Sequence, residues 1–327
     1  MTYLRFIPRS AVRMVAQIHN FIIQTDRTLC KIVMKEICER EASNFSAASP
    51  ATARDGSPPR CQAFPEHIAR EIVFEMPDRL TDVVSWQGHI SFAFRIIEAL
   101  RARTLVEQGT QKGDSYCALN QAVDRLGLDT ACYAIDTWQG DEQTGTYGED
   151  VFEDLRRYHE PRYGRFSSLI RATFDEAAKC FGQGSTDLLH IDGLHTYDAA
   201  RHDFEIWLPK LSSRSVILLH DVNTRESDFG FWRLWNELVR DYPSFNFRHS
   251  HGLGLLAVGA DIEEPIRRLA NYNGAESERV RVFFSRLGSA VAVHGELATK
   301  LIALAALEAS STAGSPRLPS LLRHCCK

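Results

Sequence analysis

With 327 residues, 44% of them hydrophobic and 24% charged, the chain has the apolar content of a globular protein large enough for one sizeable domain with appendages. Its formal net charge of -4, with acids and bases interspersed, excludes electrostatic capture of nucleic acid and points to a small-molecule or glycan ligand. The eight cysteines form no CxxC pair and several lie in apolar runs, the usage of reduced thiols in the cytoplasm.

Residues 1–40 read as a helical extension. Ile18, Phe21, Ile22, Leu29, Ile32, Val33 and Ile37 recur at near-helical spacing, as expected for a helix packed on the domain or on a partner. An interfacial amphipathic helix is the other use of such a face, and a homo-oligomer is compatible with it. Arg5, Arg9 and Arg13 interrupt the apolar start, and no uncharged run follows that would serve as a signal peptide or membrane span. Residues 41–65, with AASPATARDGSPPR at their centre, are too poor in apolar side chains to offset chain entropy and read as a linker.

From residue 66 to 260 helices alternate with short aliphatic runs, the pattern of a mainly parallel sheet covered on both faces. The expected strands are Thr104–Glu107, Ala131–Asp136, Ser168–Ala172, Asp187–Asp192 and Ser215–Asp221, followed by Ser244–Arg248 and Gly254–Gly259 as an antiparallel hairpin. The expected helices are Gly88–Ala102, Ser115–Leu126, Glu149–Tyr158, Asp175–Phe181, Tyr197–Leu208 and Phe231–Asp241. Residues 261–327 read as a charged helical extension that becomes Ala/Leu-rich and ends in a loose tail. The architecture implied is a three-layer α/β sandwich with helical N- and C-terminal extensions.

The first strand runs into Glu107, then Gly109 and Gly113, then Ser115 at the start of an amphipathic helix. Glycines serve where backbone turns sharply and approaches a ligand, and a loop at the carboxyl end of the first strand is where open α/β sheets bind one. The spacing is Glu-x-Gly-x-x-x-Gly rather than GxGxxG, which weighs against a nicotinamide oxidoreductase. The second strand stops at Asp136, an acid placed to accept hydrogen bonds from ribose hydroxyls.

The segments SWQGHISFAFRIIEALRARTLVEQGTQKGDSY, YAIDTWQGDEQTGTYGEDVF, LLHIDGLHTYDAARHDFEIWLPKL and VILLHDVNTRESDFGFWRLWNEL resemble a bacterial branch of the class I S-adenosylmethionine-dependent methyltransferases. The resemblance spans Trp86 to Gly259 and implies a Rossmann-like, doubly wound seven-stranded sheet whose last strand is antiparallel. It implies that Glu107 and Gly109 hold the methionine end of S-adenosylmethionine, that Gln111, Gly113 and Ser115 belong to the same loop, and that Asp136 binds the ribose. Thr137 and Trp138 would line the adenosine side, with Thr173 and Phe174 near the adenine. The sequence departs from the family's pattern at Gln108, where an apolar residue is usual.

Half of the twelve histidines fall between His190 and His251. Asp192 ends one strand with His195 three residues on, and His220 and Asp221 end the next, so the four should meet on the rim that carries Gly109 and Asp136. Two carboxylates, Asp192 and Asp221, are suited to Mg²⁺, and His195 or His220 to taking a proton from a substrate hydroxyl. Metal-dependent sugar and macrolide O-methyltransferases resemble this layout, but with two acids where this chain has His220-Asp221. Strand-end aspartates also serve as helix caps, and His190 reads as a core histidine. His202, His249 and His251 read as surface residues, with His251 nearest the rim. Trp86 and His89 open the helix that enters the domain; the resemblance implies that this helix can flank the pocket, and burial against the sheet is the simpler account of Trp86. The activity expected is O-methylation of a small molecule or carbohydrate, with a non-catalytic cofactor- or nucleotide-binding regulatory module as the alternative.

Overall fold

The computed structural model describes residues 67–141, 145–226 and 228–311. The expected N-terminal helix and linker, and the end of the C-terminal tail, lie outside them. Two compact units divide the chain, residues 62–291 and a second unit of 1–61 with 292–327. The larger unit thus continues past residue 260, because α7 (Glu264–Asn271) and the first part of α8 (Gly274–Ser311) bury Ile266, Leu269, Val280, Phe284 and Leu287.

The sheet has seven strands: β1 Thr104–Gln108, β2 Ala131–Asp136, β3 Ser167–Arg171, β4 Thr186–Ile191, β5 Leu211–His220, β6 Ser244–Phe247 and β7 Leu253–Ala257. Their order is β3-β2-β1-β4-β5-β7-β6. β7 runs antiparallel to both β5 and β6, so it alone reverses the sheet direction. Every residue of β4 is buried, as a strand covered on both faces requires. The order reverses between β1 and β4, which pair through Gln108 and Ile191. Their carboxyl ends therefore diverge into a crevice, the place where doubly wound sheets bind ligands.

Helices cover both faces. α1 (Ile90–Leu100) is buried on almost every side and ends at Arg101 in the left-handed region, φ 47°. Phe92 of α1 meets Phe247 at 4.5 Å and Phe284 at 5.3 Å between ring centroids. α2 is Asp114–Arg125 and α3 Glu149–Tyr163. α3 runs beyond its expected end at Tyr158, through Pro161, because Tyr163 is buried against His159 and Phe166. α4 (Phe174–Ala178), α5 (Tyr197–Trp207) and α6 (Phe231–Leu238) enclose a core built on Val106, Leu189, Ile217, Trp207 and Phe231. Cys117 and Cys132 are buried free thiols, and Cys180 is free and exposed. Among the described residues no helix is long and apolar enough to cross a membrane.

One core position opposes stability. Asp203 on α5 is buried, and burial pushes its carboxyl up to about 7, outweighing the pull of His202. The unfolded chain, with an ordinary carboxyl near 3.9, loses this proton first, so stability should fall as pH rises from about 4 to about 7 and then level off. Asp203→Asn is expected to melt several degrees higher than the parent at pH 8, by about 2 kcal/mol, and alike at pH 4. Equal melting temperatures at both pH values would show that Asp203 ionises freely in the fold.

Candidate functional site

The crevice opens into one cavity of about 570 Å³. Gly109, Gln111, Gly113, Ser115, Asp136, Thr137, Thr173 and Phe174 line one part, and Asp192, His195, His220 and Asp221 another. Twelve of the fourteen residues singled out from the sequence thus reach its wall, while Glu107 and Trp138 are buried and do not.

Gly109 has φ 80°, and a Cβ there would lie 2.0 Å from the backbone oxygen of Asp192. The loops after β1 and β4 therefore touch backbone to backbone, which only glycine permits. Gly113 caps α2 at φ 82°, and a Cβ would meet Leu155 at 2.5 Å. Asp136 is the hub of this loop. Its Oδ2 accepts from the backbone N–H groups of Thr110 (2.9 Å) and Gln111 (2.8 Å), and its Oδ1 from that of Trp138 (2.7 Å). The carboxylate assigned to ribose by resemblance already braces the loop. Trp138, with φ 51°, turns its ring inward onto Phe152, and its indole N–H donates to the Gln111 carbonyl at 2.9 Å. It supports the loop from behind instead of lining the adenosine side. Thr173 caps α4 in a capping box with Glu176, and Phe174 lines the wall beside Gly193. Gln108 is fully buried, and neither atom of its side-chain amide has a hydrogen-bond partner among the described residues.

A strap that sequence reasoning missed clamps the loop from outside. Arg79 donates through Nε (3.1 Å) and Nη2 (3.0 Å) to the Lys112 carbonyl, and Thr81 donates its backbone N–H (2.7 Å) and hydroxyl (2.5 Å) to Asp114. Val83, Ser85 and Trp86 continue the strap along the cavity wall. No local pattern marks this segment, since its function lies in partners more than 30 residues away.

The second part of the wall is an ionic cluster. His195 Nε2 lies 2.8 Å from Asp221 Oδ2 and 3.6 Å from Asp192 Oδ1. His220 Nδ1 lies 3.2 Å from Asp192 Oδ1 and 3.3 Å from Asp221 Oδ2, while its Nε2 donates to the Ser250 carbonyl at 3.2 Å. Burial opposes charge on both rings, but the two carboxylates outweigh it, raising His195 to about 9 and His220 well above the ordinary histidine value. Burial would push the carboxyls of Asp192 and Asp221 up, yet the imidazoles hold both far below the usual range. Phe229 stacks on His195 at 4.7 Å.

His249 is not the surface residue expected, whereas His251 is exposed and stands at the rim as expected. His249 Nε2 donates to the Gly88 carbonyl at 2.9 Å, and its ring packs on His89 at 4.6 Å. His89 Nε2 in turn donates to the Ser250 carbonyl at 3.0 Å. Ser250 and His251 both have positive φ, 46° and 67°, a costly turn that carries His251 Nδ1 to 3.2 Å from Asp221 Oδ1 at the cavity wall. His202 is exposed and pairs with Asp175, as a surface residue would.

Residues 106–222 match the family profile of a methyltransferase domain, and that stretch contains both the glycine loop and the ionic cluster. Over that stretch, about a third of its length, the chain is similar to methyltransferase domains. An uncharacterized protein of Sinorhizobium fredii, y4gI, is 47% identical over 186 residues, 57% of this chain but 20% of that protein, so the chain spans about a fifth of the relative's length. The S-adenosylhomocysteine-bound methyltransferase PaMTH1 of Podospora anserina superposes with a TM-score of 0.42 at 16% identity, over 68% of this chain and 94% of its own. The O-methyltransferase TomG of Streptomyces achromogenes, involved in tomaymycin synthesis and solved with S-adenosylmethionine, gives 0.39 at 14% identity, over 55% and 91%. Neither likeness bears on chemistry. The strand order gives the fold, and the profile match gives a likeness to methyltransferase domains over residues 106–222.

Proposed function

We propose that the methyltransferase domain moves the methyl group of S-adenosylmethionine to an oxygen of a small molecule or carbohydrate. The observation that carries this reading is the single cavity that joins the Gly109–Gly113 loop to the Asp192–His195–Asp221 cluster. Methyl transfer from a sulfonium is a direct displacement, so it needs the acceptor oxygen aligned with the methyl carbon and relieved of its proton. A loop for the cofactor and a polar cluster for the acceptor on one wall suit that need.

Asp192 and His195 line the acceptor side of the cavity, and we assign the hydroxyl's proton to the Asp192 carboxylate and its orientation to the charged His195. His220 suits that role less, since one ring nitrogen is spent on the Ser250 carbonyl and the other on two carboxylates. Its charge steadies the cluster instead. The ligand atoms of Asp192, His195 and Asp221 lie within 4.8 Å of one another, so the residues fit a divalent ion. Two carboxylates with an imidazole favour Mn²⁺ over Mg²⁺, which prefers oxygen. A divalent ion bound there would lower the pKa of an acceptor hydroxyl.

Calorimetry with S-adenosylhomocysteine tests the cofactor half of the proposal. The full chain is expected to bind it, and Asp136→Ala to weaken binding by about 10- to 100-fold, because three backbone N–H groups lose their acceptor and the loop loosens. Wild-type protein that binds no S-adenosylhomocysteine at millimolar concentration would overturn the reading. Binding without methyl transfer to any hydroxyl acceptor would leave a cofactor-binding module.

A further inference from the structure

We infer that Trp86 and His190 are positioning residues for the amino group of the cofactor, acting through the carboxylate of Glu107. The inference rests on the cofactor reading above and adds to it a buried relay that neither the family profile nor the ionic cluster explains.

β1 and β4 set Glu107 opposite His190, and both are fully buried. His190 Nδ1 lies 2.8 Å from Glu107 Oε2, and the Trp86 indole nitrogen lies 3.2 Å from His190 Nε2. An indole N–H can only donate, so His190 Nε2 accepts, and the ring's proton sits on Nδ1, where it donates to Glu107. The chain of donors thus runs in one direction, from Trp86 through His190 to Glu107. Trp86 is held in turn by its edge contact with His190 at 5.2 Å and by His89 at 5.8 Å.

The relay satisfies one oxygen of Glu107 and leaves the other without a partner. Oε1 is buried with no hydrogen bond in the described residues, and an unmatched carboxylate oxygen of this kind is costly. Among the described residues no lysine or arginine is paired with it. Burial pushes the Glu107 carboxyl up, while His190 and the neighbouring Ser115 hydroxyl pull it down. Glu107 lies in β1 two residues before Gly109, which lines the cavity with Trp86 and Ser115. A carboxylate fixed at one oxygen and open at the other is matched by a ligand ammonium, and S-adenosylmethionine carries one on its methionine end. The relay sets the angle at which Oε1 meets it.

Two probes separate this from a general packing role. S-adenosylhomocysteine carries the ammonium, whereas methylthioadenosine keeps the adenosine and sulfur and lacks it. His190→Leu is expected to weaken S-adenosylhomocysteine by about 10- to 100-fold and methylthioadenosine by less than about twofold. His190→Asn, whose amide can donate to Glu107 from near the Nδ1 position, should recover most of that loss. Trp86→Phe, which keeps a ring and removes the N–H, should cost S-adenosylhomocysteine about 3- to 10-fold more than methylthioadenosine. If His190→Leu fails to fold, the other two variants decide the matter by the same ratio. Wild-type binding of both probes with a ratio that none of the folded variants changes would overturn the relay alone. Wild type that binds neither probe would remove the cofactor reading and the relay with it.

Discussion

Asp221→Asn is expected to lower methyl transfer by about 100-fold or more while S-adenosylhomocysteine binding stays within about threefold of the parent. Asp221 faces three imidazoles, His195 at 2.8 Å, His251 at 3.2 Å and His220 at 3.3 Å. It holds them from a left-handed backbone position, φ 58°. Asparagine is the side chain that best tolerates that conformation, so the substitution keeps shape and backbone and removes charge. The imidazoles then lose the carboxylate that orients them, and a divalent ion loses a ligand. The loop that carries the cofactor reading, Gly109 to Gly113, makes none of these contacts, which is why binding should survive. Steady-state rates beside calorimetry check both halves. A loss of less than tenfold in rate, with a lowered melting temperature, would make the cluster structural. Chelation of the wild type followed by Mn²⁺ addition separates the remaining roles. Loss and recovery of rate assign the cluster to an ion, and an unchanged rate assigns the work to the side chains.

The second large effect is at the sheet's switch point. Gly109→Ala should destabilise the domain by about 3 kcal/mol or more and reduce S-adenosylhomocysteine affinity at least about 100-fold. The new Cβ would sit 2.0 Å from the Asp192 carbonyl oxygen and 2.6 Å from its carbon, and backbone cannot rotate out of the way as a side chain can. Relief requires the ends of β1 and β4 to part, and those ends carry Gln108 and Asp192 on the two sides of the crevice. Gly127→Ala is the matched comparison. Its φ is 58°, also left-handed, but nothing lies within 4 Å of the Cβ position. That variant should lose only the conformational term of about 1 kcal/mol and bind cofactor normally. Denaturant unfolding of the two side by side isolates the contact from the torsion. Equal losses in both would mean that the strand ends yield easily.

The two aspartates illustrate how far sequence reasoning reaches. Asp136 and Asp221 were both legible as strand-end acids, because an aliphatic run that stops at a carboxylate is a local signal. What each carboxylate does was not. Asp136 spends its oxygens on Thr110, Gln111 and Trp138, and those partners come within reach only when β2 lies beside β1. His220 and His195 were expected as a base, and the structure surrounds them with carboxylates that keep them charged at neutral pH. A titration state depends on burial and neighbours, neither of which a motif contains.

The strands, the glycine loop and the antiparallel last strand were determined by the sequence alone, since each rests on short-range chemistry: apolar runs for strands covered on both faces, glycine where φ is positive, a short turn between β6 and β7. The extension of α3 through Pro161 and of the compact unit to Val291 escaped that reasoning, because burial of Tyr163 against His159 and Phe166 outweighed the proline, and Phe284 is buried by Phe92 and Phe247 far away in the chain. The site itself was decided only in three dimensions. Strand order brings Gly109 against Asp192, and register brings Glu107 beside His190 and within reach of Trp86. The strap hung on Arg79 and Thr81 closes the same wall from outside the matched family region. These contacts join residues far apart in the chain, and a hydrogen bond is a relation between positions in space that no single segment encodes.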